Sequence, residues 1–198
     1  MEVAKQQKVL NKAILAIKKG KVIICPTDTV YGFLSDAKNK KAVDKIFKIK
    51  KRSKQKPLPI FVKNFEMAKS IAIIDKNQES FLKKVWPGAV TVVLKTSLRQ
   101  GYGMAREKQN IKLYGISKKT IALRIPKYKF LNNLLKKINK PLVQTSVNIS
   151  GKPPLKNIKE IIEKFSKLDI LIIDAGNLKK SKPSKIIDLT NKNKKILR

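Results

Sequence analysis

The sequence predicts one α/β domain over residues 1–198, with a twisted mixed β-sheet flanked by helices. Three observations carry this. The chain has 198 residues, 42% of them hydrophobic, which suits one core in a domain of ordinary size. Segments with apolar residues at helical spacing alternate with short β-branched runs. The last strands follow each other at hairpin distance, so the sheet is not purely parallel. No internal repeat and no Gly/Ser- or Pro-rich linker divides the chain.

The elements follow in order. Residues 4–19 place Val9, Leu10, Ala13, Ile14 and Ile17 on one helical face, and Gly20 is a stop. Residues 22–25 form a buried-type strand ended by Pro26. Residues 39–50 are helical, with Ala42, Val43, Ile46, Phe47 and Lys50 in register. Residues 58–62 read as a strand, and Pro59 predicts an edge or a bulge there. Helices over 64–73 and 77–85 follow, the second broken by Trp86-Pro87-Gly88. Residues 89–94 are a β-branched strand, and 97–118 a Gly-punctuated irregular loop. A strand over 121–125 stops at Pro126. Then come a helix over 128–138, a strand over 142–145, a helix over 157–166 and a strand over 170–174. Strands over 185–189 and 195–197 close the fold.

Composition excludes several function classes. There is no histidine and one cysteine, Cys25. Ser-His-Asp and Cys-His catalysis, a disulfide framework and a cysteine zinc site are therefore all excluded within one chain. A lone cysteine predicts a reducing, cytoplasmic setting. No apolar run reaches the roughly 20 residues of a membrane span, and the N-terminus lacks the apolar core of a secretory signal. The net charge is +34, and only Arg52, Arg99, Arg106, Arg124 and Arg198 are arginine. Such a surface attracts polyanions, RNA above all. The lysines run along the whole chain, as the coding bias of an AT-rich genome would also produce.

Five polar segments adjoin predicted strands, where α/β sheets build sites. Thr27-Asp28-Thr29 leaves the first strand and runs to Gly32, as a site or as a capped turn. Lys50 to Lys56 packs five cations into seven residues, suited to phosphates or simply solvated. Trp86-Pro87-Gly88 is a corner or a ligand contact. Arg124 stands in an apolar strand, which is costly unless it meets a ligand carboxylate or an internal acid. Ser146, Asn148, Ser150 and Gly151 form a hydrogen-bonding turn able to cradle phosphate, without a Walker A pattern.

Order and spacing together make these segments specific. Residues 26–32 (PTDTVYG), Lys50-x-Arg52 with Pro57-Leu58, Trp86 to Thr91, Leu123 to Pro126 and Ser146 to Gly151 resemble the YrdC-like family in its order. The resemblance covers about residues 20–190. These are the L-threonylcarbamoyladenylate synthases of tRNA modification, here in their short single-domain form. The resemblance implies that L-threonine, bicarbonate or CO2, and ATP give threonylcarbamoyl-AMP and pyrophosphate, for t6A at position 37 of tRNA. It implies Lys50 and Arg52 as catalytic residues and Thr29, Phe61, Arg124 and Ser184 as threonine contacts. It further implies Lys50, Arg52, Lys56, Thr120, Ser146, Asn148 and Arg198 as ATP contacts. Mg2+ would arrive with ATP, with no metal ligand from the protein. Other t6A-pathway proteins would be partners, as would tRNA through the basic surface. Departures from the family pattern are Asp28 for glutamate, Phe61 for histidine, Pro154 for serine, Lys185 for threonine, and Gln144-Thr145 for a small residue and proline.

A different class of function fits the charge, namely an RNA-binding or ribosome-assembly module without ATP turnover. A carbamoyl-transfer module of hydrogenase maturation is disfavoured by one cysteine and 198 residues.

Overall fold

The computed structural model describes residues 2–98, 111–178, 182–191 and 193–198. Among these, six helices and nine strands alternate: α1 (Glu2–Lys18), β1 (Val22–Cys25), β2 (Gly32–Asp36), α2 (Lys40–Lys50), β3 (Ile60–Phe61), α3 (Phe65–Ile71), α4 (Lys76–Val85), β4 (Val90–Lys95), β5 (Thr120–Arg124), α5 (Lys129–Ile138), β6 (Leu142–Ser146), α6 (Ile158–Phe165), β7 (Ile170–Ile172), β8 (Lys185–Asp188) and β9 (Lys195–Ile196). The strands make one mixed sheet in the order β7-β1-β2-β6-β3-β5-β4-β8-β9. The parallel pairs are β1–β7, β3–β5 and β4–β8.

The sheet separates two apolar clusters, because neighbouring strand residues point to opposite faces. Ile24 and Phe33 pack on one side with Ile46, Phe47, Leu82 and Phe165, under α2, α4 and α6. Ile23 and Leu34 pack on the other with Leu10, Ile17, Leu131 and Leu135, under α1 and α5.

One strand is added and one expectation is corrected. Gly32–Asp36, where the sequence pattern predicts no element, is a fully buried strand. It is covered on both faces, and Asp36 is held there by Lys140 Nζ at 2.7 Å and by the Lys38 N–H at 2.8 Å. Gly32 is required by a close approach, since a Cβ there would meet the Gln144 amide at 3.1 Å. The strand around Pro59 is neither edge nor bulge. It shrinks to Ile60 and Phe61 and lies between β6 and β5. Pro59 stays outside the ladder as a donor but its carbonyl accepts from the Gln144 N–H at 2.8 Å. The remaining elements keep their expected places, with ends shifted by up to two residues. Of the expected loop 97–118, residues 99–110 lie outside the described residues.

The register sets the scale of the site. β3 aligns Phe61 with Arg124 on one side and with Leu142 on the other. Arg124 therefore stands four residues along β6 from Ser146, which pairs with Gly32. Four residues of strand are about 13 Å.

Candidate active site

Beyond the end of β1, where the Arg124 side chain reaches it, the chain builds a turn around one hydroxyl. Thr27 Oγ1 accepts from the N–H groups of Thr29 (3.0 Å) and Val30 (3.1 Å) and donates to Val30 O at 2.7 Å. This fixes Asp28 at the turn's apex. Asp28 Oδ1 accepts from Arg124 Nη2, and Oδ2 accepts from the Lys127 N–H at 3.0 Å. Arg124 is 1% exposed. Its Nε donates to Gly88 O at 2.8 Å and its Nη1 to Thr29 Oγ1 at 3.3 Å. Burial pulls its pKa below the ordinary value, Asp28 opposes that, and Arg198 adds to it.

Trp86-Pro87-Gly88 forms a structural corner. Trp86 Nε1 donates to Val90 O at 2.8 Å and locks the bend. The bend in turn presents the Gly88 carbonyl to Arg124. Phe61, expected to touch threonine, is fully buried. Its ring lies 5.6 Å from the Arg124 guanidinium.

β4 and β8 bring up the other wall. Pairing of Val92 with Leu123 and of Thr91 with Ile186 sets Thr91 beside Arg124 and Ser184. Ser184 Oγ and Thr91 Oγ1 are 2.9 Å apart. The Ser184 carbonyl accepts from Arg198 Nε (3.2 Å) and Nη2 (3.1 Å). The β8–β9 hairpin delivers Arg198, through Ile186 N–H to Arg198 O at 2.9 Å.

At the Ser146 level the centre is Lys50, the last residue of α2 and 1% exposed. Its ammonium donates to Ser146 O (2.6 Å), Asn148 O (3.0 Å) and Asn148 Oδ1 (2.7 Å). Those bonds match its three protons. Burial first, then the nearby Arg52, lowers its pKa from 10.5 to about 8. Ser146 Oγ also donates to Asn148 Oδ1 at 2.7 Å. Beyond Lys50 the chain reverses through Lys51 at φ 48°. Arg52 follows, its Nε and Nη2 donating to the carbonyls of Lys56 and Pro57, each at 3.0 Å. Lys56 contributes this carbonyl and leaves its side chain exposed. Burial and the approach of Arg198 lower the Arg52 pKa.

Thr120 opens β5 and stands apart from both hydrogen-bonded groups. It lies four residues before Arg124 on β5 and pairs with Lys95 of β4. Thus the structure gathers Thr29, Arg124, Ser184 and Arg198 on one side and Lys50, Arg52, Ser146 and Asn148 on the other. Arg198 faces both Arg52 and Arg124. Sequence reasoning missed Asp28, Gly88 and Thr91 as site members. The signal for Asp28 was its place as the one acid within the five polar segments.

The arrangement can hold two anions side by side, a carboxylate at Arg124 and phosphates near Arg52 and Arg198. The described residues contain no group of three or more Cys, Asp or Glu that could hold a metal ion. No described helix is long and apolar enough to cross a membrane.

Comparison with known proteins agrees with this geometry. Residues 15–198 match the Sua5/YciO/YrdC family, described as "Telomere recombination". The chain belongs to the Sua5/YciO/YrdC family. A Methanocaldococcus jannaschii relative, provisionally named a threonylcarbamoyl-AMP synthase, is 35% identical over 184 residues, 93% of this chain and 82% of that protein. The threonylcarbamoyl-AMP synthase of Blochmanniella pennsylvanica is 31% identical over 91% of this chain and 89% of its own. The structure of Pyrococcus abyssi Sua5 complexed with L-threonine superposes with a TM-score of 0.80 at 31% identity, over 96% of this chain. This chain spans 53% of that one. The twisted mixed sheet is thus the sheet of the Sua5/YciO/YrdC family.

Proposed function

We propose that this chain is a threonylcarbamoyl-AMP synthase that serves t6A modification of tRNA. The observation that carries the reading is the pair of buried cations, Arg124 and Lys50, with Arg198 facing both Arg52 and Arg124. Curated relatives of this name at 35% and 31% identity support it.

In this reading Arg124 takes the threonine carboxylate, with Thr29 and the Thr91–Ser184 hydroxyl pair beside it. Arg52 and Arg198 take the phosphates, and Lys50 supplies a fixed charge through the Ser146–Asn148 turn. Thr120 and Lys56 border the nucleotide. Mg2+ enters as part of the Mg-ATP substrate. The reaction is nucleotidyl transfer. The threonine nitrogen forms a bond to the carbon of CO2, or of bicarbonate with loss of water, and sheds a proton. A carbamate oxygen then bonds to the α-phosphorus as the bond to pyrophosphate breaks. The protein aligns the reactants and offsets the charge on the leaving group. No covalent enzyme intermediate is needed, in keeping with a chain without histidine. The cytoplasm supplies ATP and tRNA, and the lysine-rich surface suits tRNA and the proteins that complete the transfer.

An RNA-binding module without turnover would draw on exposed lysines and gives no reason to bury Arg124 and Lys50 at 1% exposure. The deciding experiment measures pyrophosphate release from Mg-ATP, with threonine and bicarbonate omitted in turn. Release that needs both is expected. Release indifferent to threonine, or a folded chain that binds no ATP, would overturn the reading.

A further inference from the structure

The Arg124 charge is already balanced. Among the described residues, Asp28–Arg124 is the one ion pair made by an arginine, with side-chain exposures of 1% for Arg124 and 12% for Asp28. Every other ion pair has a lysine at least 43% exposed. The acid is held rigidly by the Thr27-centred turn, by Arg124 and by the Lys127 N–H. Three of the five Arg124 N–H donors are committed, to Gly88, Thr29 and Asp28. Two remain for a ligand.

A simple anion arriving here meets a pair that is neutral overall, with a carboxylate within its reach. Phosphate, bicarbonate or a plain carboxylate gains from Arg124 and loses to Asp28. A ligand bearing a carboxylate and a cation one carbon apart satisfies both. The other charges nearby, Arg198 and Arg52, are cations and repel an ammonium.

We infer that Asp28 is a specificity-determining residue of the amino-acid subsite. It makes the subsite select a zwitterionic α-amino acid, by receiving the α-ammonium, and keeps phosphate and deaminated acids out of Arg124. This rests on the synthase reading and deepens it. In a protein of charge +34, one placed acid keeps the amino acid and the phosphates from exchanging places.

The test compares L-threonine with 3-hydroxybutyrate, which lacks only the amine, by calorimetry on the full chain. The wild-type chain prefers threonine by about 100-fold or more, as expected when a charged hydrogen bond is present in one ligand alone. Asp28→Asn keeps the size and an acceptor but removes the charge. It lowers that preference about 10-fold or more by weakening threonine and strengthening 3-hydroxybutyrate. Asp28→Glu restores the preference. Equal weakening of both ligands would mean that Asp28 only props the fold, and would overturn the inference. So would a wild-type chain that binds the two within threefold, whether or not the Asn variant folds. Binding of neither ligand by the folded wild-type chain would overturn the synthase reading itself.

Discussion

Arg124 and Lys50 are both 1% exposed, and the fold solvates them in opposite ways. Arg124 has a carboxylate, a hydroxyl and a carbonyl. Lys50 has two backbone carbonyls and an amide oxygen, with no acid among its bonded partners. One charge is cancelled where it lies. The other is only hydrogen-bonded, and Arg52 adds to it. A buried charge without a counter-ion is costly. In the proposed reading, the difference marks which subsite takes its counter-charge from a ligand: Lys50 would be met by the phosphates, whereas Arg124 already has its acid.

The comparison breaks most sharply at Arg124. Arg124→Ala leaves Asp28 half-buried and unpaired, and should destabilise the chain by about 3–5 kcal/mol in urea unfolding. Threonine-dependent pyrophosphate release should vanish with it. Arg124→Lys should recover part of the stability but little activity, because an ammonium cannot copy the planar fork. Lys50→Met comes next. It takes the ammonium from two backbone carbonyls, while Asn148 Oδ1 keeps the Ser146 hydroxyl, and it also removes an uncompensated charge. Its stability loss should stay near 1–2 kcal/mol, while ATP affinity measured by calorimetry falls about tenfold or more.

Proton traffic sharpens the contrast further. The folded Lys50 pKa, about 8, lies below its ordinary 10.5. The group therefore opposes folding while charged, below pH 8, and that opposition fades as pH rises from 8 toward 10.5. Its neighbours are Arg52, the Phe33 ring, Ser146 and Asn148, none of which titrates in that window. ATP should pull the proton back on. Calorimetry at pH 8.5 in two buffers of different ionisation enthalpy should show proton uptake on ATP binding, absent in Lys50→Met. Threonine binding at Arg124 should show no uptake through this group. The smallest effect belongs to the surface pair beside the site. Lys54 Nζ meets Asp44 at 2.8 Å but is 69% exposed. Lys54→Ala should shift unfolding by less than about 1 kcal/mol and leave both subsites intact.

The sequence revealed one of these two cations more fully than the other. Lys50 already stood on the apolar stripe with Ala42, Val43, Ile46 and Phe47, and those are the buried residues of α2. Its burial was legible from local spacing. That Arg124 needed an acid or a ligand was legible too, because it interrupts an apolar strand. Which acid was not, since Asp28 lies 96 residues away and only the twist of the sheet brings them together. The same limit hid β2, whose Ser35 and Asp36 are polar yet buried because helices cover both faces. It also hid the central place of β3, since Pro59 signals a missing donor and says nothing about which strands flank the two residues after it.

The edges of the sheet carry a consequence for how the protein is made. β7 closes one edge against β1, and β8 with β9 closes the other beyond β4. Both closures come from residues 170–196, and each pairs strands distant in sequence. A chain emerging in the order of its synthesis therefore carries β1 and β4 as open edges until its final segment arrives, a slow, non-local step. Open edges invite pairing between unfinished copies. The lysines of the earlier helices and connecting segments make those copies repel one another. The positive surface thus guards the unfinished sheet during manufacture, quite apart from anything it later attracts.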